Sequence, residues 1–146
     1  LLGLYVFQGL RSQELYLLKR SDIDLQQGKI YIPSGARTAS RSLALHPLQM
    51  LPLQSYLQDL ASEELFPALN KNELQYFFRR LQDLGKGTCY TAKGIRAMVI
   101  INWLKVQSLR QVQYNAGHRY ISSTERYLIN DIAELKVTVA KYHPLN

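Results

Sequence analysis

Cysteine is nearly absent. Cys89 is the only one, so the chain has neither a disulfide framework nor the paired thiolates of a structural zinc site. A reduced, intracellular setting fits that scarcity. No stretch approaches the ~18 consecutive apolar residues that mark a membrane-crossing helix, and no basic-then-apolar leader opens the chain. A soluble, cytoplasmic protein with no membrane partner is expected. The glycine-rich phosphate loop of nucleoside triphosphatases is missing, and His, Cys, Asp and Glu nowhere cluster at metal-ligand spacing. Neither a metal nor another cofactor is therefore expected. Internal repeats and low-complexity tracts are missing as well.

Acidic side chains are also in short supply: 18 Lys and Arg against 11 Asp and Glu leave a net charge of +7. Such an excess favours a polyanionic partner, because clustered cations release condensed counterions when they meet phosphates. At 146 residues and 47% hydrophobic content, the chain can close one core with little left for a second. It opens on "LLGLYVFQGL", already in a helical apolar pattern and without methionine, which reads as the interior of a longer protein with a further domain upstream.

Hydrophobic periodicity then sets the elements. "LLGLYVFQGL" reads as the end of an apolar helix, and "SQELYLLKRSDI" as a second helix with Leu15 and Leu18 on one face. "DIDLQQGKIYIP" changes to period two, with Ile23 and Leu25, a turn at Gln27 and Gly28, and then Ile30 and Ile32. "SLAL" supplies a third strand after the polar stretch "SGARTASR", which predicts a small antiparallel sheet with a basic, flexible tip. Pro47 and Pro52 bracket the start of a helix that turns Leu53, Leu57 and Leu60 inward. The next helix starts near Asn70, stacks Leu74, Phe77, Leu81 and Leu84, and stops at Gly85. "TAKGIRAMVIINWLKV" is capped by Thr91 and aligns Ile95, Met98, Val99 and Trp103. "SLRQVQYNAG" runs from a Ser108 cap to Gly117 as left-handed terminator. Ser122 and Glu125 have capping-box spacing for a helix bearing Tyr127, and Ile132, Leu135, Val139 and Tyr142 share a stripe on a last helix. The fold class is α+β, mainly helical, with a three-stranded antiparallel sheet.

Several charged and aromatic residues stand out, each with an ordinary alternative. Lys93 and Arg96 lie three positions apart near a helix N-terminus, where free amides add positive potential; they outline an anion site or simply a solvated basic patch. Arg11 could pair with Glu14 at a helix junction, His118 could be a turn histidine, and Tyr127 could be a core ring.

Taken together and in order, these residues resemble the catalytic domain of tyrosine recombinases, the phage-type integrases. "GLRSQELYLLKRSDID" matches the family's first arginine box through Arg11, with Glu14 in its acidic place; "KIYIPSGARTASRSLAL" resembles the hairpin that follows. "KGIR" fills the His/Lys-x-x-Arg box with Lys93 and Arg96, "AGH" supplies His118, and "STERYL" supplies Tyr127. The resemblance implies the recombinase catalytic-domain fold over residues 1–146, with the family's DNA-clamping domain upstream. It implies a site-specific DNA strand transferase in which Tyr127 is the nucleophile, Arg11 and Arg96 clamp the phosphate, and Lys93 and His118 assist. Double-stranded DNA, a homo-oligomeric, tetrameric synapse and a nucleoid location are the implied partners and place, with the C-terminal helix packed either on its own chain or on a neighbouring protomer. A mobile element is the implied origin.

The sequence departs from the pattern at the hairpin tip, where the family carries a lysine that protonates the leaving oxygen. Here Arg37 is the nearest substitute, with Ala36 opposite if the alignment slips by one. Ala97 also follows Arg96 where a histidine is common. Two rivals remain at this point: a non-catalytic helix-turn-helix regulator, which would use the two short helices around Gly117, and a type IB topoisomerase relative.

Overall fold

The computed structural model describes residues 1–84 and 90–128. The Gly85 stop, Cys89 and the last helix of Ile132, Leu135, Val139 and Tyr142 lie outside the described residues.

Helix α1 (Leu2–Val6) is followed by a much shorter α2 (Ser12–Leu15) than the Leu15 and Leu18 spacing predicts. The cause is distant in sequence. The Leu65 N–H donates to the Leu18 carbonyl at 2.9 Å and the Arg20 N–H to the Glu63 carbonyl at 2.7 Å, so the groups that would extend the helix are engaged elsewhere. Leu15 and Leu18 are both buried nonetheless.

Strands β1 (Ile23–Asp24), β2 (Lys29–Ile32) and β3 (Arg41–Ala44) form an antiparallel sheet in the order β1-β2-β3, with Gly28 at φ 62° in the first turn. Register pairs Ile30 with Leu43 and Ile32 with Arg41. The period-two pattern holds: Ile30, Ile32 and Leu43 face the core, and Arg41 faces the same way. The expected flexible tip is instead fastened down. Ala39 N–H donates to the Gly117 carbonyl at 3.0 Å, Thr38 bridges to His118, and Arg119 Nη2 donates to the Gly35 carbonyl at 3.0 Å.

Helix α3 (Pro47–Asp59) begins with Pro47 in the first turn, where a missing N–H costs nothing, and His46 as its cap. Pro52 lies inside this helix rather than at its start, on an exposed stretch, while Leu57 and Leu60 are buried. In α4 (Lys71–Leu84) the inward face is Leu74, Phe78 and Leu81; Phe78 packs edge-on against Tyr5 with ring centroids 5.3 Å apart. Leu84, expected inward, is 79% exposed.

Helix α5 (Ala92–Val106) has its predicted cap, Thr91 Oγ1 accepting from the Gly94 N–H at 3.0 Å. Its buried positions are Ile95, Arg96, Val99 and Ile100, whereas Met98 points to solvent. The stripe is rotated relative to the expectation because a guanidinium, not a thioether, occupies the inward slot. Helix α6 (Leu109–Ala116) runs from Ser108, whose Oγ accepts from the Gln111 N–H, to Gly117 at φ 66° and ψ 29°. Helix α7 starts at residue 122, and Glu125 N–H donates to the Ile121 carbonyl at 3.1 Å; Ser122 is thus its first residue rather than its cap.

A large core joins α1, the sheet, α3, α4 and Ile95 of α5. A smaller one of Ile100, Val112 and Ala116 packs against Trp103, Leu104 and Tyr127. The architecture is mainly helical with one three-stranded antiparallel sheet, as expected. Among the described residues no helix is long and apolar enough to cross a membrane.

Candidate active site

Arg96 sits at the second turn of α5, one helical turn above the free amides that Thr91 partly caps. Only 6% exposed, it needs acceptors, and the backbone supplies them. Its Nη1 donates to the Gly9 carbonyl and its Nη2 to the Ala116 carbonyl at 2.7 Å, with His118 Nε2 at 3.1 Å from Nη2. Burial and the nearby Arg11 pull its pKa down to about 10, so the guanidinium remains charged at neutral pH. Gly9, at φ 57°, turns its chain so that the carbonyl can meet Arg96.

Arg11 enters from the start of α2. Its backbone N–H donates to Glu14 Oε2 at 2.8 Å, which closes the first turn and fixes where the side chain leaves the backbone. The side chain itself has a different status. Among the described residues, Arg11 Nε is buried and has no hydrogen-bond partner. Native proteins seldom leave a buried donor unpaired, since the desolvation goes uncompensated at about 1–3 kcal/mol.

Arg11, Ser12, Ala92, Lys93, Arg96 and Tyr127 line a single cleft of about 350 Å³. Lys93 is exposed at its rim, in the first turn of α5 where the helix dipole is positive. Four of the six expected site residues thus meet in one concavity of positive potential. A larger groove of about 670 Å³ lies between α1 and α3, but leucines, Val6, Phe7 and Phe66 dominate its walls and no charged side chain lines it.

His118 lies behind the cleft, only 6% exposed in the turn that Gly117 makes. Its Nε2 faces Arg96 and its Nδ1 is 2.8 Å from Thr124 Oγ1. Burial first, and then the charges of Arg96, Arg11 and Arg41, push its pKa down to about 4; the imidazole is neutral near pH 7. Tyr127 stacks on it, with ring centroids 6.0 Å apart and planes 12° from parallel. The half-buried phenol ring also packs on the small core of Ile100, Val112 and Ala116. The readings of Tyr127 as a core ring and as a cleft residue are therefore compatible: one edge of the ring is packed while the residue borders the cavity.

Arg37 is not brought in. It is exposed on the hairpin loop and does not line the cleft. Two residues that sequence reasoning missed do connect to the site. Arg41, rather than Arg11, is the side-chain partner of Glu14, at 2.7 Å in a buried ion pair. A signal was there: Arg41 alternates with Leu43 in β3 and with Leu45 just beyond it, and a charge on such an inward face demands a buried counter-ion. Thr124 is the other, one helical turn before Tyr127.

No curated protein matches this chain. Among solved structures it is similar to XerA recombinase, with a TM-score of 0.69 and 24% identity over 97% of this chain and 56% of that one. It is similar to XerH site-specific recombinase bound to palindromic difH substrate in a post-cleavage complex, with a TM-score of 0.74 and 22% identity over 94% of this chain and 43% of that one. The Tn1549 transposon integrase in complex with circular intermediate DNA gives a TM-score of 0.67 and 16% identity over 85% and 51% of the two chains. The chain therefore spans about half the length of these structures, with 56%, 43% and 51% of them covered. The model of the phage integrase family matches residues 1–134, which include both guanidinium positions, the Gly117 turn and Tyr127, and the chain belongs to that family.

Proposed function

We propose that residues 1–146 are the catalytic domain of a site-specific DNA recombinase, an integrase of a mobile element that cuts and rejoins double-stranded DNA through a 3′-phosphotyrosyl intermediate. The observation that carries this reading is the cleft in which Arg11, Lys93, Arg96 and Tyr127 meet, with Arg11 Nε buried and unpaired. A backbone phosphate supplies the missing acceptor.

In this reaction Tyr127 Oη attacks the phosphorus, an O–P bond to the tyrosine forms, and the bond from phosphorus to the 5′ oxygen breaks. Negative charge gathers on the non-bridging oxygens in the transition state. Arg11 and Arg96 are suited to it because a planar guanidinium donates paired, charge-assisted hydrogen bonds without needing to change protonation. The phenolic proton passes to water in the cleft while the neutral His118 braces Arg96, and the departing 5′ oxygen takes a proton from Lys93 or water. Because the phosphotyrosyl ester conserves the broken bond, attack by a 5′ hydroxyl reverses the step with no nucleotide consumed.

Arg37 serves in this scheme as an electrostatic clamp on the leaving oxygen once DNA covers the hairpin; its high pKa makes it a poor acid. A DNA-clamping domain acts alongside this one, and the working unit is a tetrameric synapse at the nucleoid. A helix-turn-helix regulator would leave the two guanidinium groups that line one cleft without a purpose.

The test is a duplex nicked near the cleavage point, so that the short 5′ product diffuses away and the covalent intermediate accumulates. A denaturant-resistant adduct mapping to Tyr127, and absent in Tyr127→Phe, is expected. No adduct under any divalent-free condition, or one mapping to another residue, overturns the proposal.

A further inference from the structure

Thr124 does not border the cleft, yet it is completely buried and its hydroxyl meets the imidazole of His118 at 2.8 Å. The opposite ring nitrogen, Nε2, lies 3.1 Å from Arg96 Nη2. These two contacts are not chemically equivalent. A guanidinium has only donors, so Nε2 can bond to Arg96 only through its lone pair. The neutral ring then carries its proton on Nδ1, and Thr124 Oγ1 is what accepts it. Every other charged group around the ring, Arg11 and Arg41 included, is cationic except Glu14, which is already committed to Arg41 and to the Arg11 N–H. Among the described residues at hydrogen-bond distance from the ring nitrogens, only the hydroxyl of Thr124 can accept the Nδ1 proton.

The hydroxyl belongs to the helix that presents Tyr127, three positions ahead of it and so on a neighbouring stretch of the same face. Tyr127 stacks on the same imidazole. Seating of that helix therefore delivers the phenol and the tautomer-setting acceptor together.

We propose that Thr124 is a positioning residue: its hydroxyl holds His118 as the Nδ1–H tautomer, so that Nε2 accepts from Arg96 and the phosphate clamp is set only when the helix of Tyr127 is docked. With that helix displaced, the Nδ1 proton loses its fixed acceptor, the ring is free to reverse its tautomer, and a proton on Nε2 would oppose the Arg96 N–H. The coupling makes the site responsive to the placement of its own nucleophile. Its catalytic half rests on the strand-transferase reading above, and its structural half does not.

The experiment has two arms on the full chain. The first records long-range proton–nitrogen correlation spectra of the His118 ring without DNA. A protonated Nδ1 and bare Nε2 are expected, and a protonated Nε2 in the unaltered protein overturns the proposal without any variant being made. Thr124→Val keeps the branched shape and removes the hydroxyl; mixed tautomers are expected, and Thr124→Ser restores the single one. The second arm measures cleavage of the nicked duplex. Thr124→Val should lower the single-turnover rate by about tenfold with duplex affinity unchanged, as loss of a partner that orients a functional imidazole does elsewhere, and Thr124→Ser should recover most of it. A valine variant that cleaves like the parent, or a serine variant no better than valine, refutes the coupling. Should Thr124→Val fail to fold, the parental spectrum and the serine variant still decide. Absence of any adduct in the parent protein would sink the proposed function while leaving the tautomer result to stand or fall by itself.

Discussion

Glu14 and Arg41 form a two-pronged ion pair in the interior, Oε1 to Nη1 at 2.7 Å and Oε2 to Nη2 at 3.1 Å, with both side chains almost wholly screened from water. The pair is a brace between elements rather than an isolated contact. Glu14 Oε2 also holds the Arg11 N–H, and Arg41 Nε donates to the Asn115 carbonyl at 2.7 Å, next to the turn that carries His118. Burial opposes the charge on Glu14, yet the hydrogen bonds and charge of Arg41 keep its pKa below the ordinary carboxylate value.

Removing one partner leaves an uncompensated buried charge. Glu14→Leu or Arg41→Met alone should therefore destabilise the domain by about 3 kcal/mol or more, whereas the two changes together should cost far less than the sum of the single changes. Urea denaturation of the two single variants and the double variant measures this. Additive losses would show that the two residues do not act as a pair.

Gly117 and Gly28 supply a matched comparison. Both have positive φ, 66° and 62°, so alanine at either is strained by about 1–2 kcal/mol. A Cβ on Gly28 meets nothing within 4 Å, but a Cβ on Gly117 would run into the Arg41 guanidinium. Gly117→Ala should therefore be the more damaging by thermal melting and should also slow cleavage, because shifting Arg41 disturbs both Arg11 and His118. Equal losses at the two glycines would deny Arg41 that role.

The parts of this fold that could be read from the sequence are those governed by local chemistry. Thr91 and Ser108 cap their helices because each hydroxyl meets an amide only a few residues on, and Gly117 ends α6 because a left-handed residue is needed there. Alternation of Ile30 and Ile32 gave the strand for the same reason. What escaped was decided across the chain. Helix α2 stops at Leu15 because residues 63–65 take its backbone partners, and Met98 faces outward because Arg96 bonds to carbonyls of Gly9 and Ala116. The cleft was legible only through the family spacing of Arg11, Lys93, Arg96 and Tyr127; no periodicity would have joined α2 to α5. Thr124 was unreadable because its importance depends on which nitrogen of His118 faces Arg96.

Arg11 and Arg96 should respond differently to substitution by methionine. Arg96 is tied to two carbonyls and an imidazole, so its loss should lower stability and abolish cleavage together. Arg11 offers the fold an unpaired buried Nε, and Arg11→Met should leave stability unchanged or raised while cleavage is lost. Melting temperatures beside adduct yields test this. A strongly destabilised Arg11→Met would mean that the side chain serves the fold rather than a ligand.

His118 links the site to pH. Its pKa is about 4 when folded against about 6.5 for a free imidazole, so between those values the unfolded chain binds more protons than the native one. Stability from this residue is complete above pH 6.5, declines as pH falls toward 4 and then levels off, for a total on the order of 3 kcal/mol. Glu14 acts in the same direction but lower: its folded pKa lies under 4.5, so its contribution begins to fail only once the unfolded carboxylate protonates near that value. The interval from pH 5 to 6.5 therefore isolates the histidine. In DNA-free protein, the unfolding free energy should drop across that interval, and His118→Gln, which cannot take up a proton, should flatten the drop. Parallel curves for the two proteins would mean that the imidazole titrates normally and is not held neutral between Arg96 and Thr124.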